Sequence, residues 1–411
     1  MAERTERQDV EDILSGRTEG WTPAPAVAWL LSEGRLLADQ TERLGGFCER
    51  LLAAGAPLWR VRVGVRMLHP ETYAVGATWT RDRHLVEVYR VGHQIPTSDD
   101  YIGSPMHELH RTGKTVRHRL DRLDPNRDHQ VLHSLAADGG VDYAAIPLVF
   151  CDGTINALTV ATDRKDGFSN GDIRKLQVLA NIIAPVIEAH AQRRITRGLL
   201  DTYLGRRSGE RVLNGLIKRG DGETIHAALW FSDLRDFTML TESLPSSRVL
   251  HMLNTYFEMV AAAVGARGGE ILRFIGDAML IVFPTGVLGS EKAACVAALD
   301  SARDAIDGLA TVNSRRRRAG EPEIRFGVGL HVGEVIYGNV GAPDRLDFTV
   351  IGAAVNRTAR LEGLTKELGR NLLMSVEFAR HVDAPATSLG FHRMKGVKDP
   401  QEVFTLKDSG G

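Results

Sequence analysis

Cysteine is scarce in this sequence: three residues, Cys48, Cys151 and Cys295, in a chain of 411. They are far apart and form no CxxC pair, which excludes a disulfide framework and a zinc ribbon and suits a reducing cytoplasm. Long apolar runs are also missing. No stretch approaches the ~20 apolar residues of a membrane span, and the N-terminus, MAERTERQDVEDILSGRTEG, has no apolar signal core. The expectation is a cytoplasmic protein with no membrane association of its own. Neither sign of charge dominates, since the formal net charge is -1. Global charge therefore gives no reason to expect a nucleic-acid partner. The run Arg315–Arg318 is expected to end a surface helix, where positive charge suits the helix dipole. There is no internal repeat and no low-complexity tract.

What is present is an ordinary globular composition, 43% apolar and 25% charged, with length for two or three domains. Residues 1–24 are polar and read as a flexible tail. A long helical pattern follows from about Pro25 to Leu52, then strand-like runs such as Trp59–Leu68. Tyr143–Cys151 and Thr154–Thr162 flank Asp152-Gly153, a hairpin signal. Ser169-Asn170-Gly171-Asp172 opens a helix whose Leu176, Leu179, Ile183 and Val186 recur at 3-4-3 spacing. That seam predicts a short coiled coil bent at Pro185. Residues 191–222 mix helical runs with basic residues and glycines and read as a linker.

The strand, Asp-Gly turn, strand and helix, with Asp163-Arg-Lys-Asp-Gly-Phe168-Ser-Asn-Gly-Asp172 between, resemble the end of a GAF sensor domain. The resemblance covers residues 25–190 and implies an α/β regulatory domain with an unknown small-molecule or protein input. Cyclic-nucleotide-binding members carry Asn at the place of Asp163 and an unbroken acidic pair where Ile173 intervenes. No nucleotide ligand is assigned here. Five histidines, His107, His110, His118, His129 and His133, fall in this half. His129 and His133, four apart, would share a helix face, but no cysteine or carboxylate completes a metal set.

From Ile225 the pattern changes. Ala227–Ser232 is an apolar strand ending in Asp233. A helix follows over about Ser246–Ala266, then two strands around the turn Gly276-Asp277, a helix over about Leu288–Arg316 and the strand Ile324–His331. The order βαββαβ is a ferredoxin-like split unit. In it the end of the first strand and the tip of the central hairpin lie side by side, so Asp233 and Asp277 can converge. Facing carboxylates repel unless cations lie between them, and paired Asp residues suit a two-metal phosphoryl-transfer site. Taken singly, Asp233 could cap a helix and Asp277 could serve the turn.

Four stretches, in order, resemble the motifs of class III nucleotide cyclases. Phe231-Ser-Asp233-Leu-Arg-Asp-Phe237-Thr238 and Arg273-Phe-Ile-Gly-Asp277 are similar to the two metal motifs. Asp347-Phe-Thr349-Val-Ile-Gly352-Ala-Ala-Val-Asn356-Arg-Thr-Ala-Arg360-Leu-Glu362 is similar to the transition-state motif. Met394-Lys395-Gly396-Val-Lys398 is similar to the phosphate-binding lysine motif. The resemblance covers residues 223–408. It implies conversion of ATP to cyclic AMP and pyrophosphate with two divalent ions, Mg2+ or Mn2+, held by Asp233 and Asp277. It further implies that Asn356 positions the ribose, that Arg360 meets charge growing on the α-phosphate, and that Lys395 holds the leaving pyrophosphate. Arg273 and Thr349 would contact the purine, and Phe237 and Thr238 would form the phosphate-binding turn. The family's sites lie between two subunits, which implies a homodimer.

Two positions depart from the family. Adenylate-forming members carry Lys where this chain has Arg273; guanylate-forming members carry Glu there, with Cys or Ser at the place of Thr349. A guanidinium only donates and cannot accept the guanine N1–H, so ATP ranks above GTP. Asp236 stands where Gly is usual beside the phosphate turn. These departures keep open a second reading, a nucleotide-binding signalling module of little or no activity, with guanylate cyclase ranked below both. Gly268-Gly269-Glu270 is similar to the signature of diguanylate cyclases. There, however, the glycine pair is itself the hairpin turn, whereas here the turn is Gly276-Asp277.

Overall fold

The computed structural model describes residues 2–407, with the backbone alone for residues 2–7. Met1 and Asp408, the outer ends of the expected tail and of the expected C-terminal domain, lie outside the described residues. The chain divides into two units, residues 1–199 and 200–411.

In the first unit the elements run α1 (Ala2–Leu14), α2 (Ala24–Ser32), α3 (Gln40–Ala53), β1 (Arg60–Arg66), β2 (Ala74–Thr80), β3 (Leu85–Val91), α4 (Pro105–Thr112), β4 (Val116–Arg119), α5 (Gln130–Ala137), β5 (Asp142–Val149), β6 (Ile155–Thr162) and α6 (Asn170–Leu204). The strands form one antiparallel sheet in the order β3-β2-β1-β6-β5-β4. β1 alternates buried valines, Val61, Val63 and Val65, with half-buried arginines, as a strand covered on one side must. Those valines meet Phe47, Leu51, Leu176 and Leu179 from α3 and α6 in the larger of this unit's two cores.

Several expectations for this half need correcting. Residues 2–14 are helical rather than a loose tail, and Ile13 and Trp21 are buried. Trp21 Nε1 donates to Asp172 Oδ1 at 2.7 Å, and Lys175 Nζ donates to the carbonyls of Glu19 and Trp21 at 2.6 Å, which ties the segment down. The single helix expected over 25–52 is broken between α2 and α3. Gly34 lies against the Trp29 ring, where a Cβ would come within 2.8 Å, and the Asp39 carboxylate accepts from Thr41 N to start α3 afresh. The 3-4-3 seam is not a coiled coil. Leu176, Leu179 and Ile183 are spent on the unit's own core, and α6 passes through Pro185 unbroken. The stretch 191–222 has the helical runs its sequence suggests, with α6 reaching Leu204 and α7 spanning Arg206–Leu213. His129 and His133 share no helix face, because His129 Nδ1 caps α5 by accepting from Val131 N.

In the second unit α7 is followed by β7 (Gly222–Leu234), α8 (Phe237–Ser243), α9 (Ser246–Ala266), β8 (Glu270–Ile275), β9 (Ala278–Pro284), α10 (Thr285–Leu288), α11 (Glu291–Arg318), β10 (Phe326–Ala342), β11 (Arg345–Ile351), α12 (Ala353–Glu367), β12 (Leu372–Ser375), α13 (Val376–Ala379), β13 (Ala386–His392) and β14 (Gln401–Leu406). The strand order β10-β7-β9-β8, antiparallel throughout, is the split βαββαβ unit; β12, β14 and β13 extend it, and β11 pairs with β10. α9 and α11 cover one side through Met252, Tyr256, Val260, Ala298 and Ala302, all fully buried. The four arginines 315–318 do end α11, as the dipole argument expects.

Candidate active site

The register of β7 against β9 fixes the centre. Ser232 pairs with Met279, so the next step along β7 brings Asp233 level with Ala278, one residue from Asp277 at the hairpin tip. The tip is tight because Gly276 takes φ +65, a left-handed conformation that costs glycine nothing. Behind Asp233, Ser232 is fully buried and accepts from the Tyr256 hydroxyl at 2.9 Å, so the strand end is held from beneath.

The carboxyl of Asp233 is poorly satisfied. Its Oδ1 is buried and has no hydrogen-bond partner. Burial, then the adjacent Asp277 carboxyl, then the charge of Glu362 push its pKa up to about 7. Glu362, on α12, is itself pushed upward, chiefly by burial. Four acidic residues, Asp233, Asp236, Asp277 and Glu362, thus border one open cleft of about 440 Å3, with Phe237, Thr238 and Lys366 also on its walls. A half-buried aspartate with an orphaned oxygen, beside a second carboxylate on an open cleft, is a donor set that a hard divalent cation satisfies. The residues present therefore fit such an ion. Among the described residues no group of three or more His, Cys, Asp or Glu is placed to hold a metal ion together, so the protein's own share here is the Asp233–Asp277 pair. An ion held by two carboxylates keeps positions for phosphate oxygens.

The remaining sequence-predicted residues are not gathered in this cleft. Arg273, on β8, forms an ion pair with Asp347 Oδ2 at 2.8 Å and borders a second cleft with Phe274 and Phe348. Thr349 is buried on β11 two residues beyond Asp347. Asn356 and Arg360 are both exposed on α12, one turn apart, so they share a helix side. Lys395 is exposed in the turn between β13 and β14, beside the buried anchor Met394. Within one chain, then, Asp233, Asp277, Phe237 and Thr238 form one group. Arg273 borders the second cleft, and Thr349, Asn356, Arg360 and Lys395 line neither.

Asp236 explains its own departure. It adopts φ +59, the left-handed region where Gly is cheapest and Asp among the tolerated alternatives. Its carboxylate is taken up by Arg325 at 2.8 Å and Lys366 at 3.6 Å. Sequence reasoning did not single out Glu362, Lys366 or the Arg273–Asp347 pair as site members. Asp347 opens the transition-state motif and Glu362 closes it, and their nearness to Arg273 and Asp233 arises only from tertiary packing.

Residues 222–408 match the family model described as the adenylate and guanylate cyclase catalytic domain, so the C-terminal unit carries that family's domain. An adenylate cyclase of Anabaena cylindrica is 34% identical over 169 residues, 41% of this chain and 33% of that protein. Adenylate cyclase 1 of Rhizobium meliloti is 28% identical over 269 residues, 62% of this chain and 39% of that protein. The chain thus spans well under two thirds of the length of these relatives. Among solved structures, the adenylyl cyclase CyaB from P. aeruginosa is 26% identical with a TM-score of 0.43, covering 46% of this chain and 97% of that one. Among the described residues no helix is long and apolar enough to cross a membrane.

Proposed function

We propose that this cyclase-family domain converts ATP to cyclic AMP and pyrophosphate, in a site completed by a second copy of the chain. The observation that carries the reading is Asp233, whose buried unpaired oxygen and raised pKa beside Asp277 suit a bound cation. Asp233 and Asp277 would hold Mg2+ or Mn2+. When bound, such ions lower the pKa of a coordinated hydroxyl and neutralise phosphate charge.

The chain's own groups supply the rest. Asn356 fixes the ribose so that its 3′-oxygen lies in line with the α-phosphorus. Arg360 offers a fixed guanidinium to the charge that grows on the α-phosphate as the P–O bond to pyrophosphate breaks. Lys395 holds that leaving group, and Phe237 and Thr238 shape the turn around the phosphates. Arg273, aimed by Asp347, donates to the adenine ring with Thr349 beside it. The separation of these groups from the aspartates within one chain supports a homodimer in which each copy supplies half of two sites. The exposed apolar Phe274 and Ile275, adjoining Arg273, support the same arrangement. We read the N-terminal sheet unit as a GAF-like sensor and the protein as cytoplasmic, in keeping with its free cysteines.

The test is purified full chain with ATP or GTP and Mg2+ or Mn2+, with both cyclic nucleotides quantified. Cyclic AMP from ATP, in excess of cyclic GMP from GTP, is expected. Tight ATP binding without cyclic product would leave a nucleotide-binding module instead.

A further inference from the structure

The N-terminal unit contains a cavity unrelated to the aspartate cleft. It lies between the sheet and the helices on one side of it. Its inner walls are apolar, with Phe47 of α3, Val63 and Val65 of β1 and Ile183 of α6 among them. Its inner volume is narrow, about 80 Å3. It adjoins an outer cleft of about 410 Å3 that shares Gln40, Met67, Val75 and Arg194 with it.

The polar groups on this cavity are of one kind. Arg43, His190 and Arg194 line it with Gln40, and no carboxylate does. Arg43 is 8% exposed, and its side chain donates to the Leu37 carbonyl. Burial, then repulsion from Arg194, pulls the Arg43 pKa down. Arg194 stands at the exposed mouth, donates to Gln40 Oε1 at 2.8 Å and is likewise held down by burial and by Arg90. Asp39 acts in the opposite sense on both, but its carboxylate is committed to Thr41 N and Oγ1 at 2.6 and 2.7 Å. His190 bonds the Arg35 carbonyl, and an imidazole, neutral or protonated, carries no negative charge to offset either arginine. A buried guanidinium without a carboxylate partner is costly, and an anion entering from the mouth would relieve it.

We infer that this cavity binds an amphipathic monocarboxylate, its carboxylate between Arg43 and Arg194 and a slim unbranched alkyl tail among Phe47, Val63, Val65 and Ile183. The narrow inner volume sets the tail's shape, and the planar forked guanidinium suits a carboxylate head. The inference rests on the N-terminal unit alone and stands whether or not the C-terminal unit cyclises ATP.

Octanoate, octanol and octylamine titrated into the full-length protein by calorimetry test it. Octanoate should bind with a stoichiometry of one per chain, and octylamine should not bind. Octanol should bind at least tenfold more weakly than octanoate. Arg194→Gln, at the exposed mouth, should weaken octanoate at least tenfold while leaving octanol unchanged. Val65→Phe, which adds bulk to the apolar wall, should weaken both; if that variant fails to fold, the Arg194→Gln comparison alone decides. Octanol binding as well as octanoate, octanoate binding unaffected by Arg194→Gln, or no octanoate binding at millimolar concentration would overturn the assignment.

Discussion

Replacing Asp233 by Asn should stabilise the metal-free protein. A carboxyl whose pKa rises on folding costs stability as pH climbs through the interval between its unfolded and folded values. The unfolded chain releases the proton above about 4, whereas the folded site retains it until about 7. Within that window the native state binds more protons than the unfolded one, so the penalty grows with pH and is complete above pH 7. The full difference corresponds to about 4 kcal/mol. Asp233 is partly open to solvent, so screening reduces this to about 2 kcal/mol. Asn carries no charge, and its amide can donate to Asp277, whose carboxyl neighbours this position. For a unit of this size, about 2 kcal/mol amounts to roughly 4–8 °C in Tm. Calorimetric melts in EDTA at pH 8 should therefore show Asp233→Asn melting higher than wild type, and the gain should vanish near pH 4. With Mn2+ at a hundred times its Kd, wild type should gain about 2.7 kcal/mol and the variant little, reversing the order. A variant no more stable than wild type at pH 8 in EDTA, or one that responds to Mn2+ as wild type does, would refute the argument.

Arg273 should govern the base: wild type should prefer ATP over GTP by at least about tenfold, measured as the ratio of kcat/KM. Arg273→Lys should keep or raise cyclic AMP formation, whereas Arg273→Glu with Thr349→Cys should move preference toward GTP. His331 is buried against Ser375 and Glu377, and burial pulls its pKa down to about 4. The unfolded chain then gains a proton below about 6.5 that the folded one refuses, so stability should fall by about 2 kcal/mol between pH 7 and pH 5; urea midpoints at the two pH values should show it, and His331→Gln should flatten it. Asp236→Gly should free Arg325 and Lys366 and lower the KM for ATP several-fold, with stability changed by less than about 1 kcal/mol because the glycine accepts φ +59 without strain.

The catalytic unit was legible in the sequence where chemistry and local structure coincide. Asp233 ends an apolar strand and Asp277 follows the glycine of a tight turn, so the βαββαβ order alone predicts their meeting, and the register supplies it. Arg273–Asp347 and Glu362 were not legible as site members, because each contact joins elements tens of residues apart or more. The N-terminal half misled for a related reason. Its first residues are polar, yet Trp21 is held by Asp172, 151 positions later, and no local pattern announces that bond. The seam Leu176–Leu179–Ile183 has the spacing of a coiled coil and of a core helix alike, and only the valines of β1 decide between them. Gly34, two residues past the end of α2, is an ordinary helix residue until the Trp29 ring is placed against it.

The central claim is that Asp277 and Arg360 serve the same reaction from different chains. Asp277→Ala and Arg360→Ala proteins, each inactive alone, should regain cyclic AMP formation when mixed. Random exchange into a dimer with independent sites predicts up to about a quarter of wild-type activity, because half the dimers are mixed and each mixed dimer keeps one intact site. No recovery, with subunit exchange shown separately by labelled chains, would contradict the account.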